Sequence, residues 1–433
     1  METTADVAII GAGVVGASTA LELSRRGRRV VVLDKGGGAG HGSTSASSAI
    51  VRFNYSTWDG VAASWESKSR WESWRDHLGH GDPAGLARFH RCGLVMLDVE
   101  TAPRGKSIRL FERAGIPYEE WDAATLRKRL PGIDTGSYYP PKPVTSEGFF
   151  SESSHELGGL FTPDAGYVDD PRLAAANLAA AAAQAGATFA YHQQVIGLTR
   201  TGETWRIELA DDSTVDAPVV VNAAGPWSGA VNRLCDADRD FTVAVRPMRQ
   251  EVHHVAAPPE LSNAAEMPVI ADLDLGTYIR PESGQNLLIG GTEPECDPLE
   301  WIDDPDASDP RPSLARFEAQ VTRAARRFPG LRVPNRPKGI SGVYDVASDW
   351  TPVYDRTSLP GFYVAMGTSG NQFKNAPLVG ALMATLIEGV ESGHDHDSDP
   401  LTYNCSHTGH VLNIGAFSRK RELNLASSGN VMG

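Results

Sequence analysis

Residues Asp6–Asp34 read DVAIIGAGVVGASTALELSRRGRRVVVLD, and this stretch decides the fold. Asp6–Ile10 is a short apolar run of the kind that forms a strand buried on both faces. Three glycines follow, at Gly11, Gly13 and Gly16. Helix formers run from Val14 to Arg26 with apolar positions at Val15, Ala20, Leu21 and Leu23, and Gly27 stands where a helix stops. Arg29–Leu33 is a second apolar strand that ends at Asp34. Strand, tight turn, helix and strand make one βαβ unit. Each glycine has its own task. Gly11 permits the turn, Gly13 lets backbone approach a pyrophosphate, and Gly16 allows the helix to pack closely on the strand. The helix N-terminus offers free N–H groups and a partial positive charge to that pyrophosphate. Asp34 stands where a carboxylate accepts from ribose hydroxyls, and it repels a 2′-phosphate. The stretch predicts dinucleotide binding, with NADP disfavoured. By itself it does not separate FAD from NAD.

Outward from this unit, the chain has 433 residues and a formal charge of −14. That length suggests two or three domains, or one discontinuous pair. An acidic balance argues against wrapping nucleic acid, which needs clustered Lys and Arg. Hydrophobic residues make up 41% and charged residues 22%, so wholesale disorder is not expected. Cys92, Cys235, Cys296 and Cys405 are too scattered for a zinc ribbon or a disulfide scaffold. No apolar run reaches the length of a membrane span. Val7–Leu23 has the length of a signal-peptide core, but Glu2 and Asp6 stand where a basic region should be. The expectation is a soluble, cytoplasmic protein with no metal.

The periodicity changes near residues 88 and 236. Residues 36–48 are Gly, Ser, Thr and Ala, a loop suited to lying against a ligand. Trp58–Leu78 reads as helix, with Trp65, Trp71 and Trp74 as core residues. Pro171 opens an Ala-rich helix over Arg172–Ala185. Val219–Asn222 is a buried strand leading into Ala223-Ala-Gly-Pro-Trp227. Short strands are expected at Phe241–Val245, Glu251–Val255, Thr277–Arg280 and Leu287–Gly290. Ser313–Arg327 is an amphipathic helix. Gly361–Met366 is a strand that precedes Gly367-Thr-Ser-Gly-Asn-Gln-Phe-Lys374 and a helix over Ala376–Leu386.

Four segments together carry a resemblance. They are residues 7–34, Gly42-Ser-Thr-Ser-Ala-Ser-Ser-Ala-Ile-Val-Arg52, Val219–Ser228 and Gly367–Pro377. In them the chain resembles the flavoprotein amine and amino-acid oxidoreductases, the D-amino acid oxidase-like family, nearest its sarcosine oxidase and dimethylglycine dehydrogenase branch. The resemblance spans Val7 to about Glu388. It implies an α/β fold. A Rossmann-like FAD-binding domain is assembled from 1–87, 148–235 and 335–390, and a discontinuous α+β substrate domain on a mixed β-sheet from 88–147 and 236–334. Residues 391–433 remain as a polar C-terminal tail, expected to be solvated. His394, His396, His407 and His410 lie in it, outside any packed context.

The resemblance also assigns roles. Ser43, Thr44, Ser45 and Ser48 cover the flavin, and Ala223 and Gly225 lie near the ADP half. Gly367, Gly370, Asn371, Phe373 and Lys374 approach the isoalloxazine, where a helix N-terminus and a Lys suit a reduced, anionic flavin. Arg52 and Lys374 match the two cations that hold a substrate carboxylate, and Tyr278 matches a pocket tyrosine. Arg249 and Gln250 fall in a sheet-edge segment, either structural or close to the flavin. His253 and His254 point to opposite faces of a strand. Three departures stand out. There is no Cys in Lys338–Tyr344, and Ala46 occupies the position of a flavin-linking His, so FAD should be noncovalent. Leu288 stands where the oxygen-activating Lys is found, which opens the way to an acceptor other than oxygen.

The implied reaction oxidises the C–N bond of a small carboxylate-bearing amine by hydride transfer to flavin N5, giving an imine that water hydrolyses. The alternatives are oxidation of a 2-hydroxy acid, which the same clamp would accept, and a dinucleotide-binding subunit that needs a partner chain. Oxygen or another acceptor would take the electrons. Neither nucleic acid nor membrane is expected as a partner. Metalloprotease, P-loop and hydrolase-elbow motifs are absent from the sequence.

Overall fold

The computed structural model describes residues 2–261 and 263–432. Its centre is a six-stranded sheet in the order 188–191, 30–34, 7–10, 219–222, 362–366, 353–356. All neighbours are parallel except the last pair. The apolar runs are continuous because both faces are covered. Val7, Ile9, Val30, Val32, Val219 and Val221 enter a core with the helices Val14–Arg25, Pro171–Gln184 and Ala376–Glu391. Ala8, Ile10, Val31, Leu33 and Val220 face the other way, against Trp205 and Ile207 of a four-stranded sheet. Trp71 and Trp74 are buried in the first core, stacked 4.4 Å apart.

The second large sheet has nine strands among the described residues and is mixed. The strand Leu94–Leu97 pairs in parallel with Val269–Asp272 and antiparallel with Gly159–Thr162, and the other pairs of the sheet are antiparallel. The sheet takes in Gly159–Thr162 and Gly339–Ala347. Both strands lie outside the expected limits of the substrate domain at 147 and 334. The chain therefore crosses between the sheets later than the limits the resemblance implied, because Gly159–Thr162 pairs with Leu94–Leu97 and Gly339–Ala347 with Val245–Ala256. One face packs on the helix Leu314–Arg327 through Phe317, Val321 and Ala324. The other face carries the candidate site.

Two further expectations fail. Phe241–Thr242 is no strand; the strand starts at Val245. Instead the Thr242 N–H and hydroxyl donate to the Arg419 carbonyl, each at 3.0 Å. Nor is 391–433 a solvated tail. Cys405, Leu412, Ile414 and Phe417 are buried in the main core. Buried Glu66 accepts from the N–H groups of His407 and Thr408, and Arg419 pairs with Asp240, Asp355 and Asp397. Its polar residues are the mates of buried charges elsewhere, which composition alone does not reveal. Among the described residues, no helix is long and apolar enough to cross a membrane.

Candidate active site

The nucleotide half is built from backbone. Gly11 has φ of +109°, and a Cβ there would stand 2.4 Å from the Ala223 carbonyl oxygen. A Cβ on Gly16 would lie 2.0 Å from the Gly11 oxygen. Turn, helix and neighbouring strand end thus meet without room for a methyl group. Gly13 caps the helix Val14–Arg25 with no side-chain bond. The Val14 N–H donates to the Thr44 hydroxyl at 3.2 Å. The Asp34 carboxylate accepts from the Ala12 and Gly36 N–H groups, both at 2.6 Å. Asp34 therefore braces the glycine turn, and each oxygen keeps a lone pair for a ribose hydroxyl. Gly225, with φ of +55°, opens the short helical turn that follows Ala223.

The serines of the loop divide. Ser43 donates to the Val343 carbonyl, and exposed Ser45 donates to the Gly42 carbonyl at 2.9 Å. Both hydroxyls are thereby satisfied within the protein. Ser48 turns inward and shares a 2.5 Å hydrogen bond with the Tyr278 hydroxyl.

The second half is a pocket lined by Ser48, Arg52, Tyr278, Gly370, Asn371, Phe373 and Lys374. Gly367 only shapes the turn before it, at φ of +67° against Ala347 and Val245. Phe373 stacks on Trp71 at 5.3 Å, which fixes the start of the helix Ala376–Glu391. The Tyr344 ring lies on Gly370, where a Cβ would be 2.3 Å away.

Arg52 and Lys374 are 5% and 3% exposed. Lys374 Nζ donates to the Tyr55 hydroxyl at 3.0 Å and to the Asn371 carbonyl. Arg52 donates to the Asn54 carbonyl and, at 2.6 Å, to the Val431 carbonyl. Both cations sit over the Tyr55 ring, at 5.0 and 5.2 Å. Among the described residues, neither has a carboxylate partner. Burial holds the Lys374 ammonium well below its usual range, and the Arg52 charge adds to this. Burial likewise lowers Arg52 and pushes the Tyr55 and Tyr278 phenols up to about 12. A buried ion without a counter-charge costs several kcal/mol, so this pocket is poised for an anion.

Register sorts the remaining candidates. Arg249 faces away from the pocket, held by Glu251, Glu300 and the Asp309 and Arg311 carbonyls. It is structural. His253 shares that side, edge-on to Phe317 at 5.3 Å, and burial lowers its pKa to about 4. Gln250 and His254 take the opposite face, which also carries Leu288, Tyr278 and Tyr344. The Gln250 amide nitrogen is buried with no hydrogen-bond partner. A cofactor carbonyl would satisfy it, which with the glycine cradle makes these residues fit for FAD.

Several groups that line the pocket or hold its lining residues escaped the sequence reading. Arg280 is 2% exposed, donates to the Ser48 carbonyl at 2.9 Å and pairs with Glu282. Its place two residues after Tyr278 on one strand was the available signal. Tyr55, Tyr344, Val431 and Met432 had none. Glu293 is half-buried and accepts from the Val431 N–H at 2.9 Å; burial pushes its carboxyl up to about 8.

Comparison with known proteins identifies the family and the fold. The pattern of the family described as FAD dependent oxidoreductase matches residues 6–386. Glycine oxidase of Geobacillus kaustophilus is 27% identical over 398 residues, covering 90% of this chain and 94% of that protein. Its crystal structure superposes with a TM-score of 0.73 at 22% identity, covering 98% and 100% of the two chains. The sarcosine oxidase beta subunit of Arthrobacter sp is 24% identical, over 94% of this chain and 92% of that one. The L-proline dehydrogenase structure from P. horikoshii shares the fold with a TM-score of 0.75 at 18% identity, over 97% and 98%. The chain belongs to the FAD-dependent oxidoreductases of the D-amino acid oxidase family, and FAD is its cofactor.

Proposed function

We propose that the protein oxidises the C–N bond of a small amine that carries a carboxylate, such as an N-methyl, secondary or cyclic amino acid. The observation that carries this reading is the pair of buried cations, Arg52 and Lys374, without a carboxylate partner on the protein. A substrate carboxylate supplies the missing charge. The Arg52 guanidinium offers a bidentate fork and Lys374 a point charge. Two relatives of the chain, a glycine oxidase and a sarcosine oxidase beta subunit, are named for small molecules of this class.

Anchoring the carboxylate fixes the adjoining C–H in one orientation, which is the protein's main contribution to rate. FAD, when bound, supplies the hydride acceptor. Tyr278 and Tyr344 wall the pocket and exclude water while the C–N bond is oxidised. An anion on Lys374 reverses its depressed basicity and keeps it an ammonium. The product imine is hydrolysed by water. Reoxidation falls to oxygen or to another acceptor.

FAD is held noncovalently in this reading. Neither Cys nor His is among the residues lining the pocket, and position 46 is Ala. Acid precipitation should therefore leave the yellow colour in the supernatant. The activity is tested without air, by following flavin bleaching with N-methyl amino acids, cyclic amino acids and hydroxy acids. Bleaching by the amines supports the proposal. Bleaching by hydroxy acids alone would replace it with 2-hydroxy acid oxidation.

A further inference from the structure

The residues that hold Val431 hold a whole amino-acid skeleton. Its N–H is accepted by Glu293 at 2.9 Å and its carbonyl oxygen takes the Arg52 guanidinium at 2.6 Å. These two groups flank one Cα. The unit N–Cα–C=O is the same framework that an α-amino acid presents, with an amine at one end and a carboxylate at the other. Arg52 is the buried cation already assigned to a carboxylate, so a protein carbonyl stands in that carboxylate's place. Met432, beside it, is 7% exposed and lines the same pocket.

The chain leading to this point is held unevenly. Arg419 and Arg421 pin the segment by carboxylates, and Asn424 donates to the Ser56 hydroxyl at 2.7 Å. Beyond Asn424 the character changes. Leu425 is 95% exposed, and the turns at Ser427 and Asn430 bond chiefly to their own neighbours. A firmly anchored base thus carries a short segment into the pocket, where the contacts of Val431 to Arg52 and Glu293 and the burial of Met432 hold it.

We propose that residues 428–432 are a displaceable strap that occupies the substrate's place, and that Glu293 is the group that receives the substrate's amine N–H. This rests on the reading of the pocket as an amino-carboxylate site. Val431 marks both contacts. The carboxylate displaces the Val431 carbonyl from Arg52, the amine displaces its N–H from Glu293, and the strap lifts. Glu293 acts as a positioning residue and distinguishes an amino acid from a plain carboxylate of equal size. Because only the strap-free fraction can bind, the strap weakens every ligand that uses Arg52 by the same factor.

The test uses the FAD-loaded protein. The 433-residue chain, a form ending at Ser427, and V431P, which removes the donor to Glu293, are titrated with N-methylglycine and with propionate. Flavin absorbance is followed without air. Hydrogen exchange of the peptide containing Val431 reports the strap directly. The expected result is about tenfold tighter binding of both ligands by the truncated form, with V431P intermediate. Ligand should also speed exchange at Val431 in the full chain. In the truncated background, Glu293→Gln should weaken N-methylglycine about tenfold and leave propionate unchanged, a split that a structural role would not give. Unchanged or weaker binding on truncation overturns the strap, since the segment is then a fixed wall. Equal loss of both ligands in Glu293→Gln overturns its amine role. Failure of both ligands to perturb the flavin of any form refutes the amino-carboxylate reading itself, and the strap with it.

Discussion

The two halves of the site solve opposite electrostatic problems. The nucleotide half offers a diphosphate backbone: a helix N-terminus and glycines whose contacts to Ala223 and to one another leave no space for a side chain. The pocket half is the reverse. Arg52 and Lys374 are buried at full side-chain length with only carbonyls, a phenol and an aromatic face around them. A backbone cradle is complete once the chain has folded, because its partners, Asp34, Thr44 and the Ala223 strand end, all belong to the protein. A pair of unpaired buried cations is complete only when an anion arrives. Under the proposed function, the first half sets whether the cofactor binds, and the second sets what is oxidised.

The comparison is broken most severely at Gly16. A methyl group there would stand 2.0 Å from the Gly11 oxygen. Gly16→Ala should yield protein without bound flavin, seen as loss of yellow colour at full expression. Overpacking of this kind also costs about 1–3 kcal/mol of stability, measurable by denaturant titration.

A next effect lies outside both halves. Arg419 and Asp355 form a buried pair that seats the C-terminal segment. Arg419→Met leaves Asp355 uncompensated and should cost about 3–5 kcal/mol in unfolding free energy. Acid weakens the same clamp. Desolvation raises Asp240, yet its Arg419 bonds outweigh this and hold it below the ordinary carboxylate range; those bonds hold Asp397 low as well. Depressed carboxylates stabilise fully above their unfolded pKa of about 4, and the contribution is lost as pH falls through the lowered folded values. Thermal unfolding at pH 5 and pH 3 should differ less in Arg419→Met than in the parent.

Removing one pocket cation sharpens the contrast. Arg52→Met should lower kcat/KM by about tenfold to a hundredfold, the worth of one desolvated charged hydrogen bond. Flavin content should stay unchanged, because the cradle is untouched. Lys374→Met should behave alike. The smallest change is Tyr278→Phe, which removes only the bond to Ser48. It should cost less than about tenfold in kcat/KM.

What the sequence made legible follows the same division. The opening βαβ unit could be read from residues alone, because alternation, glycine spacing and a terminal carboxylate are local signals. The pocket could be read only through resemblance, since Ser48, Arg52, Tyr278 and Lys374 meet from distant segments. Tyr55 and Arg280 were missed although each neighbours a residue that was found, because a hydrogen-bonding role leaves no mark on periodicity. The C-terminal segment was misjudged for a clear reason. Arg419, His407 and Thr408 look like solvated residues until Asp355 and Glu66 are known to be buried beneath them.

The central claim is that the buried cations hold a carboxylate beside the flavin. Its most direct measurement is a titration of the FAD-loaded protein with a small, unreactive carboxylate, following flavin absorbance. The account predicts a saturable spectral shift in the parent protein, and its loss in Arg52→Met together with Lys374→Met while the flavin remains bound. An undiminished shift in that double variant would contradict the account, because the carboxylate would then be held elsewhere.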